Sequence, residues 1–254
     1  MGTFFNPTNK LMTRDLTSEI YIDKSLLITE TNRLLGTNGN FLCVSRPRRF
    51  GKSMASNMLA AYYSKGCDSK DIFSNLKIAQ TGGWEKKLNA FNVIQMDLNG
   101  FYHSLTTPEN LILDMTKAVV SEMKEQLHLV QIEENDSLPS AILKAYKATG
   151  ETFVIIIDEY DVLVREKVKS SIFESYLGFL SSLFKNNNLK EAISLAYLTG
   201  ILPIVRDRIQ SKMNEFDEYS MTNARRLAPF AGFTEEEVHS LCNEPNLDFA
   251  ECKR

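Results

Sequence analysis

The sequence has no stretch of about twenty apolar residues, the length a helix needs to cross a bilayer, so no membrane span is expected. Its start, MGTFFNPTNKLMTRDL, is broken by polar and charged residues and lacks the apolar run of a secretory leader. Cysteine is scarce. Cys43, Cys67, Cys242 and Cys252 form neither a CxxC pair nor a metal-ligand spacing, which leaves reduced, structural thiols in a cytoplasmic protein as the expectation. His103, His128 and His239 stand in no ligand spacing with one another or with cysteine, and no chemistry is assigned to them. The lone tryptophan, Trp84 in GGWEKK, reads as a packing anchor behind a turn. Neither charge is in excess: 29 basic and 32 acidic side chains leave a formal net charge of -3, which removes any global drive toward nucleic acid or an anionic membrane surface. Internal repeats and low-complexity tracts are absent as well, which excludes a repeat architecture.

What is present is a chain of 254 residues with 43% hydrophobic content, enough for a sizeable core. Four apolar runs recur: FLCVS (41–45), NVIQMDL (92–98), FVIIID (153–158) and ISLAYLTG (193–200). They lack polar alternation and are separated by helix-length connections, the pattern of a parallel sheet buried on both faces. The segment after Pro108 puts Ile112, Met115, Val119, Met123 and Leu127 on one helical face, and SIFESYLGFLSSLF does the same with Phe173, Tyr176, Leu177, Leu180 and Phe184. KNNN (185–188) reads as a loop. In GFTEEEV, Thr234 and Glu237 have capping-box spacing, so a last helix is expected there. The polar tail NEPNLDFAECKR reads as a frayed terminus or the beginning of a connection.

The stretch SRPRRFGKSM (45–54) ends as a phosphate-binding loop and begins as a basic patch. Such a loop needs a strand to deliver it, amides curled round the anion, a lysine for the terminal phosphates and a hydroxyl for magnesium. FLCVS supplies the strand, Gly51, Lys52 and Ser53 the GKS end, and MASNMLAAYYS a helix whose N-terminal dipole faces the anion. The first half is irregular. The usual first glycine is replaced by Arg46, and Pro47 removes one backbone donor.

Downstream, FVIIIDEYD is an apolar strand ending in Asp158 and Glu159. In a nucleotide-hydrolysing site, a strand-end aspartate contacts magnesium and a following glutamate can polarise the attacking water; solvated strand-end acids are the bland alternative. Thr199 closes the next run at a strand's carboxyl end, where open parallel sheets place ligands. It either senses the terminal phosphate or is only a β-branched residue before a turn. Asp97 has a similar place and a weaker case, as a cap for the next loop. Arg46, Arg48 and Arg49 could extend a phosphate clamp, pair with carboxylates or bind a nucleic-acid backbone; without interleaved aromatics the last is weakly supported. Arg206, Arg208, Arg225 and Arg226 are candidates for an arginine finger, acting within the chain or across a homo-oligomer boundary.

Together EIYIDKSLLI (19–28), SRPRRFGKSM (45–54), VIIIDEYD (154–161), LTGIL (198–202) and LAPFAGFTEEEV (227–238) resemble the bacterial AAA-ATPase-like proteins, whose P-loop domain is often followed by a PD-(D/E)XK nuclease-like domain. The resemblance spans nearly the whole chain, and the RPRRFGKS form makes Arg46 look like a family feature. It implies a three-layer α/β P-loop fold of the ASCE/AAA-like type, with a central, mostly parallel sheet and a short C-terminal helical extension. The expected division is an N-terminal segment 1–40 on the core, an ATPase core 41–226 and an extension 227–254. The implied cofactors are ATP and Mg2+. Arg46, Pro47, Arg48, Arg49, Phe50, Gly51, Lys52, Ser53 and Met54 hold the nucleotide, and Ser53 and Asp158 the metal. Glu159 is the base, assisted by Lys52 and Thr199, while Asp23 and Lys24 either help to close the site or are ordinary surface charges. No PD…(D/E)xK arrangement is found in the remaining sequence, so DNA cleavage by this chain is not expected. A slow nucleotide-gated switch is the alternative to an ATPase; a P-loop kinase ranks lower because no lid with paired arginines precedes the fourth strand.

Overall fold

The computed structural model describes residues 2–204 and 213–243. The four apolar runs are strands, β1 (Phe41–Ser45), β2 (Asn92–Asp97), β3 (Phe153–Asp158) and β4 (Ile193–Gly200). A fifth, β5 (Asp217–Tyr219), has two acids in three residues and no apolar run to announce it. All pairings are parallel, in the order β2-β3-β4-β1-β5.

The helices, in chain order, are α1 (Lys10–Leu16), α2 (Leu27–Leu34), α3 (Lys52–Tyr63), α4 (Lys70–Ser74), α5 (Leu98–Ser104), α6 (Leu111–Gln126), α7 (Leu138–Thr149), α8 (Val162–Arg165), α9 (Ser170–Phe184), α10 (Asn187–Lys190) and α11 (Glu235–Asn243). Side chains alternate along a strand, so the sheet feeds two cores. Ile155 and Ile157 of β3 join Met115 and Val119 of α6 and Leu180 of α9 on one face. Val154 and Ile156 join Ile28 of α2 and Met58 and Leu59 of α3 on the other. This is the expected three-layer α/β architecture. The helix after β1 lies on one face and those after β2 and β3 on the opposite face, which opens a crevice at the carboxyl edge, where such sheets bind ligands.

The helical faces foreseen for α6 and α9 are buried at Met115, Val119, Met123, Tyr176, Leu177, Leu180 and Phe184. KNNN is not simply a loop: Asn186 accepts from the Asn188 amide and caps the single turn of α10. Thr234 and Glu237 do form a reciprocal capping box, with amide-to-side-chain distances of 2.8 and 3.3 Å. Residues 4–6 cover the free edge of β2, through Asn6 N–H to Val93 O and Gln95 N–H to Phe4 O, both 2.8 Å. That removes an exposed ladder. Cys43 and Cys67 are free thiols, and Trp84 packs against the core around α3. Cys252 and most of the polar tail lie outside the described residues. No helix among the described residues is long and apolar enough to cross a membrane.

Arg46 explains how a strand as polar as β5 is held. Its side chain is buried, and Nη1 donates to Ser45 O at 2.8 Å and Tyr219 O at 2.6 Å. The guanidinium therefore binds the seam between β1 and β5. Expected as part of the phosphate clamp, this side chain is committed elsewhere, and the Arg46 amide is also used, by Gly200 O at 3.0 Å. Hydrogen bonds to a charged group are worth about 1.5–3 kcal/mol each. Arg46→Gly, which writes the usual glycine into the loop, should thus lower unfolding free energy by roughly 2–4 kcal/mol in urea titrations and leave nucleotide binding no tighter.

Candidate functional site

The loop leaving β1 reaches α3 through two left-handed residues, Arg49 (φ 68°) and Gly51 (φ 72°). Gly51 is the N-cap and offers no side chain to the helix end. The first amide of this turn to bond backward is that of Ala55, to Gly51 O at 2.9 Å. The amides of Lys52, Ser53 and Met54 are thus the unsatisfied donors of a helix start, aimed with the dipole at the crevice. Pro47, Arg48 and Arg49 are exposed, and Phe50 is half-buried. Lys52 folds back over the loop, Nζ donating to Pro47 O at 2.9 Å. Burial holds its ammonium below the ordinary lysine range, opposed by Asp158, Glu159 and Asp161.

Asp158 ends β3 in a buried position. Its Oδ1 accepts from the Thr199 hydroxyl on β4 and from the Glu159 amide at 3.0 Å. Burial raises its pKa above the ordinary aspartate range, and Asp97 and Glu159 add to the effect; the hydroxyls of Ser53 and Thr199 oppose it. The loop serine and the strand-end aspartate, about a hundred residues apart in sequence, are therefore neighbours across the crevice. Asp97, beside Asp158 in the β2–β3 register, caps α5 by accepting from the amides of Asn99 and Gly100 at 3.0 and 3.1 Å. A hydroxyl and a carboxylate are hard oxygen donors that suit Mg2+, which takes one or two carboxylates, phosphate oxygens and water. No larger group of three His, Cys, Asp or Glu able to hold a metal occurs among the described residues.

Glu159 stands just beyond the strand with φ 54°, and its Oε2 accepts from Nη2 of Arg165. Asp161 is fully buried and accepts from the amides of Ile201 and Leu202 at 3.1 and 2.9 Å. Tyr160 donates its hydroxyl to Leu202 O. The turn after β3 is thus bonded to the turn after β4. Asp161 and Arg165 stand four residues apart, the helical pairing distance. That spacing is the one signal by which sequence reading could have found Arg165.

Beside the loop lies a cavity of about 110 Å³, lined by Tyr21, Ile22, Met54, Met58, Phe230 and Phe233 and reaching Gly51. Its two walls come from opposite ends of the chain and are tied together. Lys24 Nζ donates to Pro229 O at 2.6 Å and to Glu237 at 2.6 and 2.7 Å. Gly232 N–H donates to Phe50 O at 3.1 Å. Asp23 instead accepts the amides of Ser25 and Lys77 at 2.7 and 2.6 Å. Of the finger candidates, Arg226 bonds Tyr219 Oη at 2.8 Å and Arg225 bonds Asn223 at 3.1 Å. Arg206 and Arg208 lie outside the described residues.

A parallel α/β sheet with a strand, a curled GKS loop and a helix at its carboxyl edge, facing a strand-end aspartate, defines a P-loop domain. Residues 10–210 match the family described as predicted AAA-ATPase, and the chain belongs to that family of ATPase-like, nucleotide-binding proteins. A relative described as an uncharacterized protein in the vnfD 5′ region of Azotobacter chroococcum mcd 1 is 24% identical over 227 residues, 87% of this chain and 41% of its own length. The chain thus spans less than half of that relative. The structure of C. elegans PCH-2 aligns with 92% of this chain and 45% of its own, at 11% identity and a TM-score of 0.36.

The elevated pKa of Asp158 fixes a pH dependence. A carboxyl whose pKa is higher in the folded than in the unfolded chain binds its proton more tightly when folded, so stability falls as pH rises from the ordinary aspartate value through the raised one. Above that window the cost of burying the charge is fully present. Asp158→Asn should therefore unfold at higher urea than the parent at pH 7, without added nucleotide or metal. The gap should close once the solution is more acidic than the ordinary aspartate range; a gap unchanged by pH would show that the carboxylate is not the cause.

Proposed function

We propose that this chain binds Mg-ATP across the carboxyl edge of the sheet and hydrolyses it. The single observation that carries the reading is the meeting of Ser53, Asp158 and Thr199 at the start of α3, where the amides of Lys52, Ser53 and Met54 are open. The amides and the α3 dipole hold the phosphates, and Lys52 moves from the Pro47 carbonyl to their terminal oxygens. Ser53 and Asp158 would hold a magnesium ion, which would supply charge neutralisation for the phosphates. The base of the nucleotide docks against the apolar cavity between Tyr21 and Phe230, whose aromatic and aliphatic lining suits a planar ring. ATP is favoured as the nucleotide by the family itself.

Glu159 is the acceptor for the water proton. As the water oxygen bonds to the γ-phosphorus, the bridging P–O bond breaks and its electron pair leaves with ADP. Thr199, already donating to Asp158, keeps that carboxylate oriented. The reading retains residues 1–40 as a segment on the core, 41–226 as the ATPase core and 227–254 as an extension, in a cytoplasmic setting where thiols such as Cys43 stay reduced. A second reading, a nucleotide-gated switch with slow turnover, is favoured by one feature, the bond from Phe50 O in the loop to Gly232 near α11.

General-base removal costs roughly 10²–10⁴-fold in rate. Glu159→Gln should lose phosphate release on that scale while retaining Mg-ATP binding by calorimetry. Equal turnover in the two proteins removes Glu159 from the chemistry, and a parent that binds ATP but releases no phosphate over many hours favours the switch. A parent that binds no nucleotide defeats both readings.

A further inference from the structure

Arg165 appears in no phosphate-loop motif, yet it touches both acids that lie just beyond Asp158. Its side chain is 14% exposed, against 29% for Glu159 and 1% for Asp161. Nη2 donates to Oε2 of Glu159, and Nε lies 3.3 Å from Oδ2 of Asp161. That same Asp161 oxygen collects the amides of Ile201 and Leu202, the residues directly after the β4 end that carries Thr199. The guanidinium thus fastens Glu159 to the frame in which Asp158 and Thr199 are set. It also lies close enough to Lys52 to oppose the charge of that ammonium.

Two features show what this fastening does. Glu159 occupies left-handed backbone, at φ 54°, uncommon for a residue other than glycine and stable only when its surroundings fix it. The contact also engages one carboxylate oxygen only. Oε2 is held and Oε1 is left for a proton.

We propose that Arg165 is a positioning residue for Glu159, holding one oxygen of the carboxylate so that the other faces the attacking water. The proposal rests on the hydrolysis reading above. In the step itself the water proton goes to Oε1, the water oxygen bonds to phosphorus, and the leaving electron pair goes to ADP. Arg165 keeps its proton throughout.

A misplaced reacting group costs on the order of 10²-fold. Arg165→Ala should therefore slow phosphate release by about 10–100-fold, with Mg-ATP affinity, read by calorimetry, within about threefold of the parent. Arg165→Lys, which keeps the charge and loses the fork, should recover part of the rate. The deciding measurement is the double variant. If Arg165 works through Glu159, Arg165→Ala changes nothing further in a Glu159→Gln background. An equal loss in both backgrounds overturns the proposal, since Arg165 then acts on the phosphates or on the fold. So does a faster Arg165→Ala protein, which would make the ion pair a restraint. Should Arg165→Ala fail to fold, the same cycle with Arg165→Lys decides between these outcomes. A parent that binds ATP but releases no phosphate sinks the hydrolysis reading itself, whereas normal turnover in Glu159→Gln, or slow Glu159→Gln with unimpaired Arg165→Ala, sinks this inference alone.

Discussion

The site depends on one irregularity in strand register. Phe153 of β3 pairs with Ile193 of β4, but Val154 pairs with Leu195, so Ser194 is the extra residue of a bulge. From there the ladder runs regularly to Ile157 opposite Leu198, and its continuation sets Thr199 beside Asp158. Without the bulge Leu198 would stand there, and a methyl group would meet the carboxylate. A one-residue slip moves every later side chain. Asn40 stabilises the bulge by donating to both Ile193 O and Ser194 O at 3.0 Å. A buried amide at the bottom of the sheet thus decides which side chain stands at the top.

Burial then sets the chemistry. Parallel strands bring their carboxyl ends to one edge, and here Asp97 and Asp158 end side by side, about 4.8 Å apart by sheet geometry. Asp158 is the buried one, and that burial, with the charges of Asp97 and Glu159 adding to it, raises its pKa. Burial of that carboxylate costs stability. A cation held between Ser53 and Asp158 would relieve this cost, a common trade between stability and function.

Much of the fold was legible in the sequence because apolar runs and helical periodicity report burial directly. β1 through β4, α6, α9 and the capping box of α11 all emerge from that signal. β5 does not, because its place depends on Arg46, a residue whose type argues for the surface and whose side chain is buried. Of the candidate site, the GKS turn and the DE pair were readable because phosphate and magnesium chemistry needs those groups in that order. Arg165 was legible only through its four-residue spacing from Asp161, since its contact with Glu159 depends on a left-handed turn that no spacing rule anticipates. The cavity walls were only half legible. YIDKS drew attention through Lys24, but its partners Pro229 and Glu237 lie some two hundred residues away.

The same loop that offers amides to an anion is also attached to the far end of the chain. Phe50 O accepts from Gly232, and Gly232 has φ 74°, with space over the Phe50 ring so tight that a Cβ would come within 2.7 Å of it. Glycine at 232 is therefore required twice, by the backbone and by the ring. One residue further, Phe233 lines the cavity, and Thr234 opens α11. Glu237 closes the circuit by serving both as the helix cap and as the partner of Lys24. A rotation of the loop about Gly51 would pull on the Phe50 carbonyl and, through it, on Gly232, two residues before Thr234 opens α11. The phosphate loop and the start of α11 are thus joined through the Phe50–Gly232 hydrogen bond, so a change in the loop's curvature acts first on that bond.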